Sequence, residues 1–112
     1  MKDRRREVLL RNESGEFGTR YLSAYVDADG TLHIDGQDLG IGAQPVSSDG
    51  EYEWFRTISA EDVPRLVSLL GGAKQADVLD LLEESYSGDG SYRLEQILRS
   101  SDLPTHLSIW SG

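Results

Sequence analysis

Two strands that alternate apolar and polar residues flank a tight turn in the segment YVDADGTLHID, Tyr25–Asp35. A two-residue turn at the central Asp-Gly pair would mix apolar and polar side chains on both faces of the hairpin. A three-residue loop, Ala28–Gly30, with its glycine in the left-handed region, pairs Val26 with Leu32 and leaves one face wholly apolar. We therefore predict this register. The predicted apolar face consists of Leu22, Ala24, Val26, Leu32 and Ile34.

The polar face of the same hairpin carries aspartates that suggest a calcium loop. With Gly30 at position 6 of an EF-hand loop, Tyr25 falls at position 1 and Gly36 at position 12, where oxygen ligands belong. The turn explains the aspartates better, because the Asp27 side chain can accept hydrogen bonds from the backbone N–H groups of the loop. We predict no metal site and no cofactor, and weak calcium binding at the hairpin stays as an alternative.

The rest of the chain divides into strands followed by helices. Alternating patterns predict strands at 7–12, 19–27, 31–39, 52–58 and 105–110, and helical spacing predicts helices within 59–72, 74–86 and 92–100. Ser59 and Asp62 resemble a capping box at the start of the first helix. In the last strand, Leu107 and Ile109 should face inward. Because strands and helices are segregated, we predict an α+β fold: an antiparallel sheet of about five strands with three helices packed on one face, in the order ββββαααβ. The segment 40–51 is predicted to be loop.

Composition limits the class of protein. The 112 residues should form a basic flexible N-terminus, 1–6, and a single domain, 7–112. The absence of cysteine excludes disulfides, zinc–thiolate sites and thiol nucleophiles. The net charge of −9 argues against nucleic-acid and anionic-membrane partners and favours a basic protein, and the alternative is that the acidity serves only to keep the protein soluble. Since we find no signal-peptide pattern and no apolar run of membrane-spanning length, we expect a soluble, cytoplasmic protein.

Acidic and aromatic side chains form the candidate interface. Tyr25 and Trp54 are the expected anchors, because aromatic residues are enriched at the energetic centres of protein–protein interfaces. The other interface candidates are Asp27, Asp29, His33, Asp35, Asp38, Glu51 and Glu53. We expect these residues to meet a basic protein partner. The chain itself should be a monomer or a dimer formed through an edge strand.

His33 and Asp35 raise an alternative of a different class. They lie two residues apart on one face of a strand, as a histidine base and the carboxylate that orients it would. No nucleophile-elbow motif accompanies them. We therefore predict no catalytic residue and no enzymatic activity, and a small hydrolase or isomerase using His33 with Asp35 stays as the alternative.

The segment EYEWFRTISAEDVPRLVSLLG, 51–71, runs from an aromatic strand directly into a helix that begins with the pattern S-x-x-D. In this segment the chain resembles small, acidic, single-domain bacterial proteins, some of which are immunity proteins of contact-dependent and polymorphic toxin systems. Such proteins bind a toxin domain, often a basic nuclease, and block it. The resemblance implies an inhibitor that occludes a cationic site on its partner, and it transfers no individual functional residue.

Overall fold

A computed structural model describes residues 6–15, 18–39, 51–73 and 75–111 of the chain. The five strands form one antiparallel sheet in the order β1-β2-β3-β4-β5. The fold is α+β, and the predicted order ββββαααβ is confirmed. The elements are β1 (Glu7–Gly15), β2 (Gly18–Val26), β3 (Leu32–Leu39), β4 (Glu51–Ile58), a 3₁₀ turn (Ala60–Asp62), α1 (Val63–Leu69), α2 (Val78–Ser85), α3 (Gly90–Ser100) and β5 (His106–Ser111). Residues 40–50 of the predicted loop lie outside the described part of the chain, and its last residue, Glu51, belongs to β4.

The hairpin of β2 and β3 has the register that its apolar face requires. Val26 lies opposite Leu32. Gly30 has a φ of 86°, in the left-handed region, and its N–H donates to the carbonyl oxygen of Asp27 at 3.0 Å. The three-residue loop is therefore confirmed, together with the face that it buries.

The hydrophobic core lies between one face of the sheet and the helices. Strand residues of a single face enter it, together with apolar residues of all three helices. Its members with no exposed surface are Leu22, Ala24, Leu32, Ile58, Leu66, Leu82 and Leu94. Because burying a leucine or isoleucine side chain contributes about 1.5–3 kcal/mol, this layer fixes which face of the sheet the helices cover.

Helix boundaries follow the local sequence with one difference. α2 begins after Asp77, whose side chain accepts hydrogen bonds from two backbone N–H groups of the first turn. α1 is followed by Gly71 with a φ of 82°, the expected glycine stop. The predicted capping box at Ser59 is wrong, because its hydroxyl donates to the Asp62 carboxylate at 2.9 Å instead of accepting from the helix backbone. A 3₁₀ turn separates Ser59 from α1.

β5 is an edge strand whose apolar side chains face the core side of the sheet without being buried. Leu107 and Ile109 lie opposite Arg56 and Trp54 of β4, and they are 44% and 57% exposed. The helices contact β1 and β2 more extensively than β5. Alternation therefore predicted the correct face for Leu107 and Ile109, but not that the helices leave this end of the face uncovered.

Arg6 connects the start of β1 to α2. Its guanidinium lies 2.5 Å from a carboxylate oxygen of Asp80, and Asp77 and Glu83 are at 3.5 and 3.4 Å. Arg6, which was assigned to the basic N-terminus, thus contacts α2, and residues 1–5 lie outside the described part of the chain. None of the described helices has the length and apolar composition needed to cross a membrane.

Candidate functional site

One face of the sheet points away from the described helices, and we call it the open face. Its rows follow from the strand register, since Tyr25, His33, Thr57 and His106 are successive neighbours across β2 to β5. Asp27 follows Tyr25 at the margin of this row. Further members of the open face are Glu7, Leu9, Asn12, Tyr21, Ser23, Asp35, Gln37, Glu53, Phe55 and Ser108.

Charge is segregated between the two sides of the sheet. Histidines aside, the charged side chains on the described open face are all carboxylates, from Glu7, Asp27, Asp35 and Glu53. The strand arginines Arg11, Arg20 and Arg56 interact on the helix side, with Glu95, Tyr92 and Thr105 respectively. Because these arginines are on the other side of the sheet, the negative potential at the open face exceeds what an even charge distribution would give.

A shallow depression of about 240 Å³ lies in the open face. Three carboxylates, from Glu7, Asp35 and Glu53, line it together with the rings of Tyr21 and Phe55. Phe55 is 38% exposed. Carboxylates beside accessible aromatic rings suit a guanidinium or ammonium group, which can pair with the acids and stack on the rings.

His33 is held in place by hydrogen bonding and by stacking. Its Nε2 lies 2.8 Å from Asp27 Oδ2, and its ring stacks on Tyr25 with centroids 4.5 Å apart and an interplanar angle of 3°. Asp27 Oδ1 accepts hydrogen bonds from the backbone N–H groups of Asp29 and Thr31. Asp27 therefore orients His33, which is the role that the enzymatic alternative assigned to Asp35.

Comparisons of the chain with protein-family models, curated proteins and solved structures find no match. Its function must therefore be argued from the geometry of its surfaces. Among the residues that the structure describes, no three His, Asp or Glu side chains are grouped so that they could hold a metal ion. At the hairpin, both Asp27 carboxylate oxygens already bond within the protein, which leaves the calcium alternative without a free ligand at this residue.

Asp27 and Asp35 lie in opposite electrostatic environments. The hydrogen bond with His33 lowers the pKa of Asp27. Burial raises the pKa of Asp35, and although His33 opposes the rise, the carboxylates of Glu7 and Glu53 add to it. The fold therefore stabilises the ionised form of Asp27, whereas ionised Asp35 lowers the stability of the folded state.

The two aspartates should consequently respond to neutralisation with opposite signs. At pH 7 we expect Asp27→Asn to lower the free energy of unfolding and Asp35→Asn to raise it, as measured by urea unfolding. The Asp35 penalty is present above its raised folded-state pKa and disappears as the pH falls through that value. The Asp27 contribution persists to a lower pH, since it is lost only between its unfolded-state value of about 3.9 and its depressed folded-state pKa. Equal signs at pH 7 would contradict this account.

The structure brings most of the predicted interface residues to one side of the sheet. Tyr25, Asp27, His33, Asp35 and Glu53 share the open face or its margin, and Asp29 is exposed in the adjacent turn. Asp38 and Trp54 lie on the opposite, helix-facing side, so they cannot contact the same surface of a partner. The side chain of Glu51 lies outside the described part of the structure.

Sequence reasoning missed several residues of the open face. Glu7 and Phe55 line the depression but were not predicted to belong to the interface, and Tyr21 was expected on the polar face of the hairpin without being included among the interface candidates. In their strands, Tyr21 and Phe55 alternate with residues that face the helices. The sequence periodicity of each strand therefore indicated which residues share a face within that strand. What it could not supply was the pairing of β4 with β3, which sets Phe55 beside Asp35.

Proposed function

We propose that this protein binds a basic protein through its open face and that, in its most concrete form, it is an immunity-type inhibitor that covers a cationic surface of a toxin. The charge segregation of the sheet carries the proposal. An acidic face of a strongly acidic chain would steer a cationic partner during association. Binding of the open face would then cover the basic site of the partner, and no chemical reaction would be required.

The depression supplies a specific point of recognition on this face. We expect it to receive an arginine or lysine side chain of the partner, with the cation between Asp35 and Glu53 and its stem against Phe55. A charge-assisted hydrogen bond to a carboxylate is stronger than a neutral one, and a planar guanidinium adds stacking on an aromatic ring. Arginine is therefore the favoured anchor.

The cost of ionised Asp35 also supports a binding role. Burial raises its pKa, so the folded state would be more stable with a neutral residue there. Sites that bind ligands often retain groups that lower the stability of the free protein. A bound cation would convert this unfavourable charge into half of an ion pair.

The test compares two variants that change the net charge equally. Wild type, Glu53→Lys on the open face and Glu84→Lys on exposed α2 are each immobilised and exposed to lysate of the source organism, with the products of neighbouring genes co-expressed. We expect wild type and Glu84→Lys to retain the same basic protein, and Glu53→Lys to bind it about tenfold to a hundredfold more weakly. The measurement is the Kd of the recovered partner at two salt concentrations.

Three results would count against the proposal. One is the recovery of no basic protein by the wild type. Another is an equal loss of affinity in Glu53→Lys and Glu84→Lys, because overall charge and not the open face would then determine binding. A Kd that does not rise with salt would also contradict electrostatic recognition.

A further inference from the structure

A second cleft, of about 280 Å³, lies on the helix-facing side of the sheet, where α3 approaches β4 and β5. Its lining residues are Asp38, Trp54, Arg56, Glu95, Arg99 and Leu107. Roughly 300–1,000 Å³ is usual for pockets that bind drug-sized molecules, so this cleft suits a ligand no larger than an amino acid. It lies on the side of the sheet opposite to the open face, and its role is independent of the proposed partner.

Two arginines of the cleft have no ion pair within the described part of the chain. Arg56 donates a hydrogen bond to the neutral hydroxyl of Thr105 at 3.1 Å. The carboxylate of Glu95, which acts on Arg56 electrostatically, is already bound by Arg11 at 2.5 Å. Arg99 is exposed on α3 and lines the same cleft. In a protein with a net charge of −9, a pair of unmatched guanidinium groups indicates a place for an external anion.

The electrostatics of Arg56 agree with this geometry. Burial lowers its pKa, and although Glu95 opposes the change, the positive charge of Arg99 adds to it. Arg56 is therefore a partly desolvated cation that a second cation repels. An anion between them would relieve both effects.

Asp38 provides an acceptor on another wall of the cleft. Its Oδ1 atom is buried and accepts no hydrogen bond from any described residue. Burial raises the pKa of this carboxyl group, while Arg20 and Arg11 oppose the rise. The register sets Asp38 opposite Tyr52, four residues along β4 from Arg56, so Asp38 makes one end of the cleft acidic while the arginines lie at the other end.

The remaining wall of the cleft is apolar. The Trp54 ring lies against the backbone of Gly36, where a Cβ atom would come within 2.1 Å of Trp54 Cζ2. Leu107, on the neighbouring strand, is 44% exposed. An aromatic or aliphatic group of a ligand can pack between these two side chains and bury surface that is now in contact with water.

We propose that the cleft binds a free α-amino acid with an aromatic or large apolar side chain. Its carboxylate is held by Arg56 and Arg99, its ammonium group faces the Glu95 carboxylate beside them, and its side chain packs on Trp54 and Leu107. A planar carboxylate matches the guanidinium fork better than a point charge does. The bordering carboxylates of Asp38 and Glu95 disfavour phosphate and other polyanions.

The experiment uses Trp54 as its own reporter. Trp54 and Trp110 are the two tryptophans of the chain, so a Trp110→Phe variant leaves fluorescence from Trp54 alone. In this background we would titrate L-phenylalanine, 3-phenylpropionate, which lacks the ammonium group, and phenethylamine, which lacks the carboxylate. We expect a saturable change with L-phenylalanine, binding of phenylpropionate weakened about tenfold, and no saturable change with phenethylamine up to about 10 mM.

Two arginines of α3 give a matched pair of variants. Arg99→Gln should weaken the binding of L-phenylalanine at least about tenfold, because it removes one half of the carboxylate clamp. Arg93→Gln removes an exposed arginine that does not line the cleft and should leave binding unchanged. Circular dichroism would verify that both variants keep the fold. The proposal is overturned if no probe gives a saturable change, if phenethylamine binds as well as L-phenylalanine, or if both variants behave alike.

Discussion

Glu95→Ala is expected to lower the free energy of unfolding by about 3 kcal/mol, because it leaves a buried guanidinium without its carboxylate. The Arg11 side chain is 3% exposed, and its Nη2 donates to Glu95 Oε2 at 2.5 Å. Its Nε donates to the hydroxyl of Ser91 at 2.9 Å, and its guanidinium lies 3.7 Å from the centroid of the Tyr92 ring. Neither contact supplies the missing negative charge. Urea unfolding monitored by circular dichroism provides the measurement.

Two comparisons separate this charge effect from a simple loss of packing. The double variant Arg11→Met/Glu95→Leu should be more stable than Glu95→Ala, because replacing both members of a buried ion pair with apolar residues removes the desolvation cost as well. The exposed pair Arg65–Asp102 is the surface control, and Asp102→Ala should change the free energy of unfolding by less than about 1 kcal/mol. A loss of this small size in Glu95→Ala would contradict the account.

The burial of Arg11 could not be predicted from the alternation of residues in β1. Simple alternation from Val8 and Leu10 would put Arg11 on the open face. The register of β1 against β2 shifts between Leu9 and Arg11, and both Leu10 and Arg11 are buried. A β-bulge of this kind places two successive residues on one side of the strand. Nothing in the local sequence marks it, because its energetic basis is the contact of Arg11 with α3.

The hairpin, by contrast, was predictable in detail. Its loop is short, so the register of β2 against β3 depends on a few residues that are adjacent in sequence. One apolar face and one glycine with positive φ were enough to select among the alternatives. All residues that determine this register lie within Leu22–Ile34, and the predicted pairs Val26–Leu32 and Ala24–Ile34 are present in the structure.

The candidate interface was predicted only in part because its residues belong to different strands. Acidic and aromatic character drew attention to Trp54 and Asp38, which composition cannot distinguish from Glu53 and Asp35. Strand parity does distinguish them, since Trp54 and Glu53 are consecutive and must face opposite sides of the sheet. If this alternation had been applied to β4 and combined with the pairing of β4 with β3, the predicted interface residues would have separated into those of the open face and those of the cleft.

That division gives the two sides of the sheet different chemistry. Among the described residues, the open face has carboxylates and no arginine, whereas the cleft has two arginines, a tryptophan and a carboxyl group with one oxygen that accepts no hydrogen bond. A single partner cannot contact both, because the sheet lies between them. A protein-sized cation on one side and a small zwitterion on the other would each leave the other surface accessible.

Gly36→Ala is expected to lower the free energy of unfolding by about 2 kcal/mol, although alanine is ordinarily the better residue in a strand by about 0.5–1 kcal/mol. Gly36 is not among the glycines with positive φ, so its backbone does not require glycine. The requirement comes from Trp54, since an added Cβ would lie 2.1 Å from one ring atom and 2.2 Å from another. The ring must therefore move, and the cleft wall moves with it.

The sign of this effect should reverse when the ring is removed. In a Trp54→Leu background, Gly36→Ala should be neutral or slightly stabilising, because only the intrinsic preference for alanine then remains. Urea unfolding of the four proteins gives the coupling free energy between the two positions, which we expect to be about 2 kcal/mol. Additive effects would show that the backbone conformation, and not the contact with the Trp54 ring, requires glycine at position 36. A red shift of Trp54 emission when Gly36→Ala is added to the Trp110→Phe background would show independently that the indole has been displaced toward water.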